Sequence, residues 1–136
     1  MKWTAENEVY VPEIDDEHRE IFRLTQDLQE AADAGANARV RALFKQIVEH
    51  ADRHFKHEER LMRASGYPSY ALHKRQHDGV RAKLEALAPR VRRGDKDSAL
   101  LLVDYLCGWL RDHTSTTDRM MGAYLRANRR QSAAAS

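Results

Sequence analysis

Apolar residues return every three to four positions through four long stretches of the chain, and three of those stretches end on a glycine. That is the pattern of amphipathic helices, each offering one stripe to a core. Ahead of them Trp3, Val9, Tyr10, Val11 and Ile14 are apolar without a period, and Pro12 argues against a helix. Residues 1–14 therefore read as an extended arm packed across the domain. Asp15 or Asp16 can cap the first helix, which buries His18, Ile21, Phe22, Thr25 and Leu28 and stops near Gly35. The second runs from about Ala38 to Ala64, with Val40, Phe44, Ile47, Ala51, His54, Glu58 and Leu61 in one sector, and breaks at Ser65-Gly66-Tyr67-Pro68. The third, capped by Ser69, turns His73, His77, Val80 and Leu84 inward, carries Pro89 near its end and closes at Gly94. The fourth opens around Asp95 to Ser98, places Leu102, Leu106, Trp109, Leu110 and His113 inward, and continues past Asp118 to about Leu125. Polar, alanine-rich residues 128–136 read as a frayed tail.

Short connections favour antiparallel neighbours, so the expected fold is all-α, an antiparallel up-down-up-down four-helix bundle with an N-terminal extended arm. At 136 residues the chain makes a single domain, 1–136, with a core of ordinary size.

Composition narrows the function mainly by exclusion. The formal charge of +2 comes from 23 basic and 21 acidic residues spread along the chain, which leaves no concentrated basic face for nucleic acid. The one basic run, residues 126–130, reads as a solvated helix end. No apolar run approaches the roughly 18 residues of a membrane span; Ala99 to Val103 is cut short by Asp104. The first residues lack the apolar run of a secretory signal, and the lone Cys107 cannot form an intramolecular disulfide, so a cytoplasmic location is expected. Cys107 itself reads as a small packing residue.

The informative polar residues are the inward ones. Five of seven histidines (His18, His54, His73, His77 and His113) fall on the buried faces, at least one from each helix. A single histidine there is usually a hydrogen-bonded core residue. Five, joined by Glu58 and Asp118, would fill a small core with unpaired polar groups unless a metal shared them. His73-x-x-x-His77 sets two imidazoles one turn apart, and His54-x-x-x-Glu58 repeats that geometry with a carboxylate able to bridge two ions. Seven ligands exceed one tetrahedral zinc, and imidazole with carboxylate but no thiolate points to non-haem iron or to manganese. His50, His57 and Glu59 are expected to face away. His113 and Asp118 lie five positions apart, about 140° on a regular helix, so a ligand role for Asp118 requires a wide or π-type turn around Thr114 to Thr117.

Four motifs carry a resemblance: Ile14-Asp15-x-x-His18, His54-Phe55-x-x-Glu58-Glu59, Gly66-Tyr67-Pro68 followed by His73-x-x-x-His77, and Trp109-Leu110-x-x-His113-x-x-x-x-Asp118. From Trp3 to about Leu125 the chain resembles the hemerythrins, specifically the bacterial single-domain ones. The resemblance implies that His73, His77 and His113 hold one iron, that His18 and His54 hold another, and that Glu58, Asp118 and an oxo or hydroxo group bridge them. Dioxygen then has one open position, on the iron with two histidines. The family's apolar oxygen pocket maps onto Ile21, Phe55, Trp109 and Leu110, with Thr114 where isoleucine is common. The implied function is reversible dioxygen binding by a monomer, for storage, delivery or sensing. The alternative is a di-iron enzyme acting on nitric oxide, peroxide or ferrous iron. Five neutral imidazoles with two carboxylates stabilise high-valent iron less than four carboxylates would, which favours binding over oxidation.

Overall fold

The computed structural model describes residues 3–135; residues 1, 2 and 136 of the expected arm and tail lie outside them. After a 3-10 turn, Ala5–Asn7, come α1 (Pro12–Asp33), α2 (Asn37–Ser65), α3 (Tyr70–Arg92) and α4 (Lys96–Asp112). A π-helical segment, His113–Asp118, then passes directly into α5 (Arg119–Ala135), so α4, the π segment and α5 form one long fourth rod. The described residues are all-helical, without strands. Connections 34–36, 66–69 and 93–95 are too short for a crossover and make consecutive helices antiparallel. α1 and α3 each pack between α2 and α4, which closes a four-helix bundle. No helix among the described residues is long and apolar enough to cross a membrane.

Two apolar clusters divide the interior. The larger is built from residues 21–32 of α1, 40–55 of α2, 80–91 of α3 and 99–110 of α4. The smaller joins Val9, Val11 and Ile14 to Met62, Met121 and Leu125. In α1, α2 and the fourth rod the inward histidines and carboxylates fall mainly between the two clusters, so the polar groups form a belt across the bundle.

The start of the first helix differs from expectation. α1 begins at Pro12 because the first helical position needs no amide proton and favours the fixed φ of proline. Asp15 does not cap its own helix. It is buried, and its carboxylate accepts from the Val9 amide at 2.9 Å and the Tyr10 amide at 3.1 Å. Those bonds hold Tyr10 at φ 61°, a left-handed conformation that costs energy for any residue with a Cβ. The arm is thus only partly extended. The Arg119 guanidinium donates to the carbonyls of Ala5 and Glu8, and Arg126 donates to that of Val9. At the other end α5 stays helical through Ala135, where a frayed tail was expected, and is exposed from Arg129 through Ala134. Ser69 does stand at the N-terminus of α3, but its side chain makes no cap hydrogen bond.

Candidate metal centre

The wide turn predicted from the five-residue spacing is present as the π segment His113–Asp118. Its composition explains how it survives. A π turn leaves carbonyls short of regular partners, and the hydroxyls of Thr114, Ser115 and Thr116 donate to the carbonyls of Leu110, Arg111 and Asp112 at 2.7, 2.7 and 2.6 Å. The extra residue brings His113 and Asp118 onto the same buried face.

All seven sequence-predicted polar residues are buried, and their side chains converge in two groups. One holds Glu58, His73, His77, His113 and Asp118; the other holds His18, His54, Glu58 and Asp118; within each, the potential ligand atoms lie within 4.8 Å of one another. The two carboxylates belong to both and divide their oxygens between them. Glu58 Oε2 lies 3.2 Å from His18 Nε2 and 3.0 Å from His54 Nε2, while its Oε1 lies 3.2 Å from His73 Nε2 and 3.1 Å from His77 Nε2. Asp118 Oδ2 lies 3.0 Å from His18 Nε2, and its Oδ1 lies 2.9 Å from both His73 Nε2 and His113 Nε2.

Despite these approaches, Glu58 Oε1, His77 Nε2 and both Asp118 oxygens make no hydrogen bond. The Nε2 atoms of His73 and His113 even face each other at 3.2 Å. Buried polar atoms are rarely left so. Atoms this close, yet misdirected for one another, are aimed at shared points, and the donor set fits a pair of cations.

The electrostatics agree. Burial pushes the Glu58 carboxyl up, but His54, His18 and His73 outweigh it and hold the group well below its usual range. Asp118, raised by burial and by Glu58, is likewise brought low by His113 and His18. Burial lowers His54 and His73, yet Glu58 and Glu17 carry His54 up to about 10, and Asp118 and Glu58 carry His73 up to about 9. For His113 burial prevails and its pKa falls. Two buried carboxylates therefore demand positive charge, from ring protons or from metal ions that replace them.

Behind the histidines stand residues that the sequence reading missed. His54 Nδ1 lies 2.7 Å from Glu17 Oε1, and the other Glu17 oxygen lies 2.7 Å from His57 Nδ1. His77 Nδ1 lies 2.8 Å from Glu59 Oε2, which also accepts from Arg81, and His113 Nδ1 lies 2.8 Å from Gln76 Oε1. For His54, His77 and His113 carboxylate and amide oxygens take the Nδ1 protons, which leaves the Nε2 lone pairs directed inward, while Nδ1 of His18 and of His73 is buried without a hydrogen-bond partner. Glu59 does not face away as expected: it is 5% exposed. α2 buries a stripe widened toward α3, so Met62 rather than Leu61 enters the core. His50 and His57, expected on a solvated flank, are half-buried, with His50 Nε2 2.9 Å from the Glu17 carbonyl. The signal was adjacency, since Glu17 and Glu59 directly neighbour His18 and Glu58 in sequence.

A small cavity adjoins the two-histidine group. It is lined by His18, His54 and Asp118 and by Ile21, Phe55, Trp109 and Leu110. About 20 Å³ is open to the centre of a water-sized molecule, room for one small ligand. The aromatic walls are fixed by stacking, Trp109 on His113 and Phe55 on His77, each with ring centroids 4.1 Å apart. Thr114, expected among them, is not on this lining. It is fully buried, and its hydroxyl is used by Leu110 and by the Asn7 amide at 2.8 Å.

Residues 9–125 match the family model described as the hemerythrin HHE cation binding domain. The chain is 28% identical to the bacteriohemerythrin of Methylococcus capsulatus, over 93% of its own length and 98% of that protein's. It is 31% identical to the myohemerythrin of Sipunculus nudus, over 85% and 86% of the two lengths. A solved wild-type hemerythrin superimposes with a TM-score of 0.80 at 27% identity, covering 92% of this chain and 97% of the other. With a family match across both apolar clusters and the belt between them, this chain belongs to the hemerythrin family.

Proposed function

We propose that the protein binds dioxygen reversibly at a pair of irons held by the polar belt. His73, His77 and His113 would hold one iron, His18 and His54 the other, with Glu58, Asp118 and an oxo or hydroxo group between them. When bound, the irons supply the electrons and the open coordination position that take up dioxygen. The observation that carries this reading is the asymmetry of the site: the cavity touches His18 and His54 and none of the three histidines of the other group.

The chain's own residues contribute orientation and dryness. Glu17, Glu59 and Gln76 keep protons on the outer nitrogens of His54, His77 and His113 and so hold those rings with Nε2 inward. Ile21, Phe55, Trp109 and Leu110 keep water and protons from the cavity. Apart from His18, His50, His54 and Asp118 the cavity is lined by apolar side chains, which suits an uncharged diatomic ligand better than peroxide or a ferrous ion and favours a binding protein over an enzyme acting on either. The reading includes a cytoplasmic monomer in which Cys107 stays reduced, serving storage, delivery or sensing.

The test is to load the reduced protein with ferrous iron anaerobically, admit oxygen and follow the visible absorption through cycles of evacuation. Reversible colour is expected. Rapid, irreversible passage to the ferric form would overturn the reading, as would steady turnover of nitric oxide with a reductant.

A further inference from the structure

We propose that dioxygen reaches the cavity between α2 and α3, through a wall formed by Ala51 and Leu84 at the floor of an outer groove. The proposal rests on the oxygen-binding reading above and names the route that reading requires. Ile21 from α1, Ile47 and Phe55 from α2, Val80 from α3 and Leu110 from α4 line the cavity and neither of two outer hollows. Part of the α2–α3 side differs. There the two helices leave a groove of about 780 Å³, and Ala51 and Leu84 line both this groove and the cavity. At 6% and 4% exposed, the two residues close the passage in this conformation. Ala51 and Leu84 are the two side chains that the two spaces share.

The groove has the polarity of a vestibule. Asp52, Arg81, Glu85 and Arg92 stand around it, while Val48 and Ala88 continue its floor. Arg81 is anchored by Glu59 and Asp78 and lies 5.2 Å from the centre of the Phe55 ring, so that rim is fixed. An uncharged gas can leave water at such a floor without stripping a charged group of its partners.

A rival hollow of about 460 Å³ on the α3–α4 side shares only Trp109 with the cavity. Passage there requires the indole to swing, which breaks its stack on His113 and its edge contact with Phe55 at 5.7 Å. That side also carries Asp112, Thr116 and Thr117.

The test uses Ala51→Val, which thickens the wall, and Leu84→Ala, which thins it, in the iron-loaded chain. A portal changes the barrier and not the bound state. Ala51→Val should slow oxygen association and dissociation together, each by about tenfold, or about 1.4 kcal/mol on the barrier, whereas an effect on the bound state would move one rate alone. Leu84→Ala should raise both rates together, and it tests the same wall should the valine variant not fold. Unaltered rates in both variants would overturn the proposal, as would a change in Kd through one rate alone, the signature of filling the cavity itself. Exchange of xenon with the cavity, followed by xenon NMR on the same variants, needs no iron chemistry and should slow and quicken in parallel. If the wild-type protein takes up no oxygen reversibly, the functional reading fails while the xenon rates still decide the route.

Discussion

At Thr114 one hydroxyl ties three parts of the molecule together. It donates to the Leu110 carbonyl in α4, accepts from Asn7 in the N-terminal turn, and sits at the start of the π segment. The resemblance placed it at the oxygen pocket because position along a motif does not reveal which way a π turn rotates its residues. Thr114→Val keeps the shape and strands the buried Asn7 amide, so the protein should lose about 1–3 kcal/mol of stability by urea denaturation. The lifetime of the oxygenated form should stay close to wild type; a markedly altered lifetime at full metal loading would return the hydroxyl to the cavity. Glu59 was misplaced for a related reason. Helical phase alone put it off the stripe, and only the approach of α3, carrying His77 and Arg81, buries it. Glu59→Leu removes the acceptor behind His77 Nδ1 and should weaken metal retention by about 10–100-fold in competition with a chelator.

At the scale of elements, the features that could be read were those written in spacing. The four apolar stripes specify the bundle, and the mismatch between the five-residue step and a regular turn specifies the π segment. What could not be read was set by contacts between distant residues. Pro12 opens α1 because Asp15 folds the preceding segment back, and that segment is held by α5 through Arg119, Arg126 and the bare face of Gly122. A Cβ on Gly122 would lie 2.6 Å from the Val9 carbonyl oxygen, a backbone atom with little freedom to retreat. Gly122→Ala should therefore destabilise the protein by about 1–3 kcal/mol and expose the arm to proteolysis. Gly79, in the middle of α3, has nothing within 4 Å of such a Cβ. There the same substitution should stabilise by about 0.5–1 kcal/mol, seen as a higher urea midpoint; equal effects at the two glycines would refute the docking of the arm on α5.

Across the whole molecule, a charged belt separates two apolar clusters, and its stability has to depend on what neutralises it. In the metal-free chain the folded pKa values of His54 and His73, about 10 and about 9, stand above the ordinary 6.5, and His18 moves the same way. Below pH 6.5 the folded and unfolded chains both hold these protons and the stabilisation is complete. Between pH 6.5 and 10 the folded chain keeps protons that the unfolded chain has released, so stability falls as pH rises. His113, shifted downward, opposes this only near its own titration. Glu58 and Asp118, held below 4.5 and 3.8, set the acid limit: their stabilisation is lost as pH falls below those values. Bound metal ions would reverse the alkaline slope, because ions on the ring nitrogens replace the protons and compete with them for the site. The urea midpoint of the metal-free protein should thus decline steadily from pH 6.5 toward 10, while that of the loaded protein holds level or rises. A metal-free midpoint that climbed across that range would show that the belt is neutralised by something other than ring protons, and the balance of charge on which the two-iron reading rests would have to be redrawn.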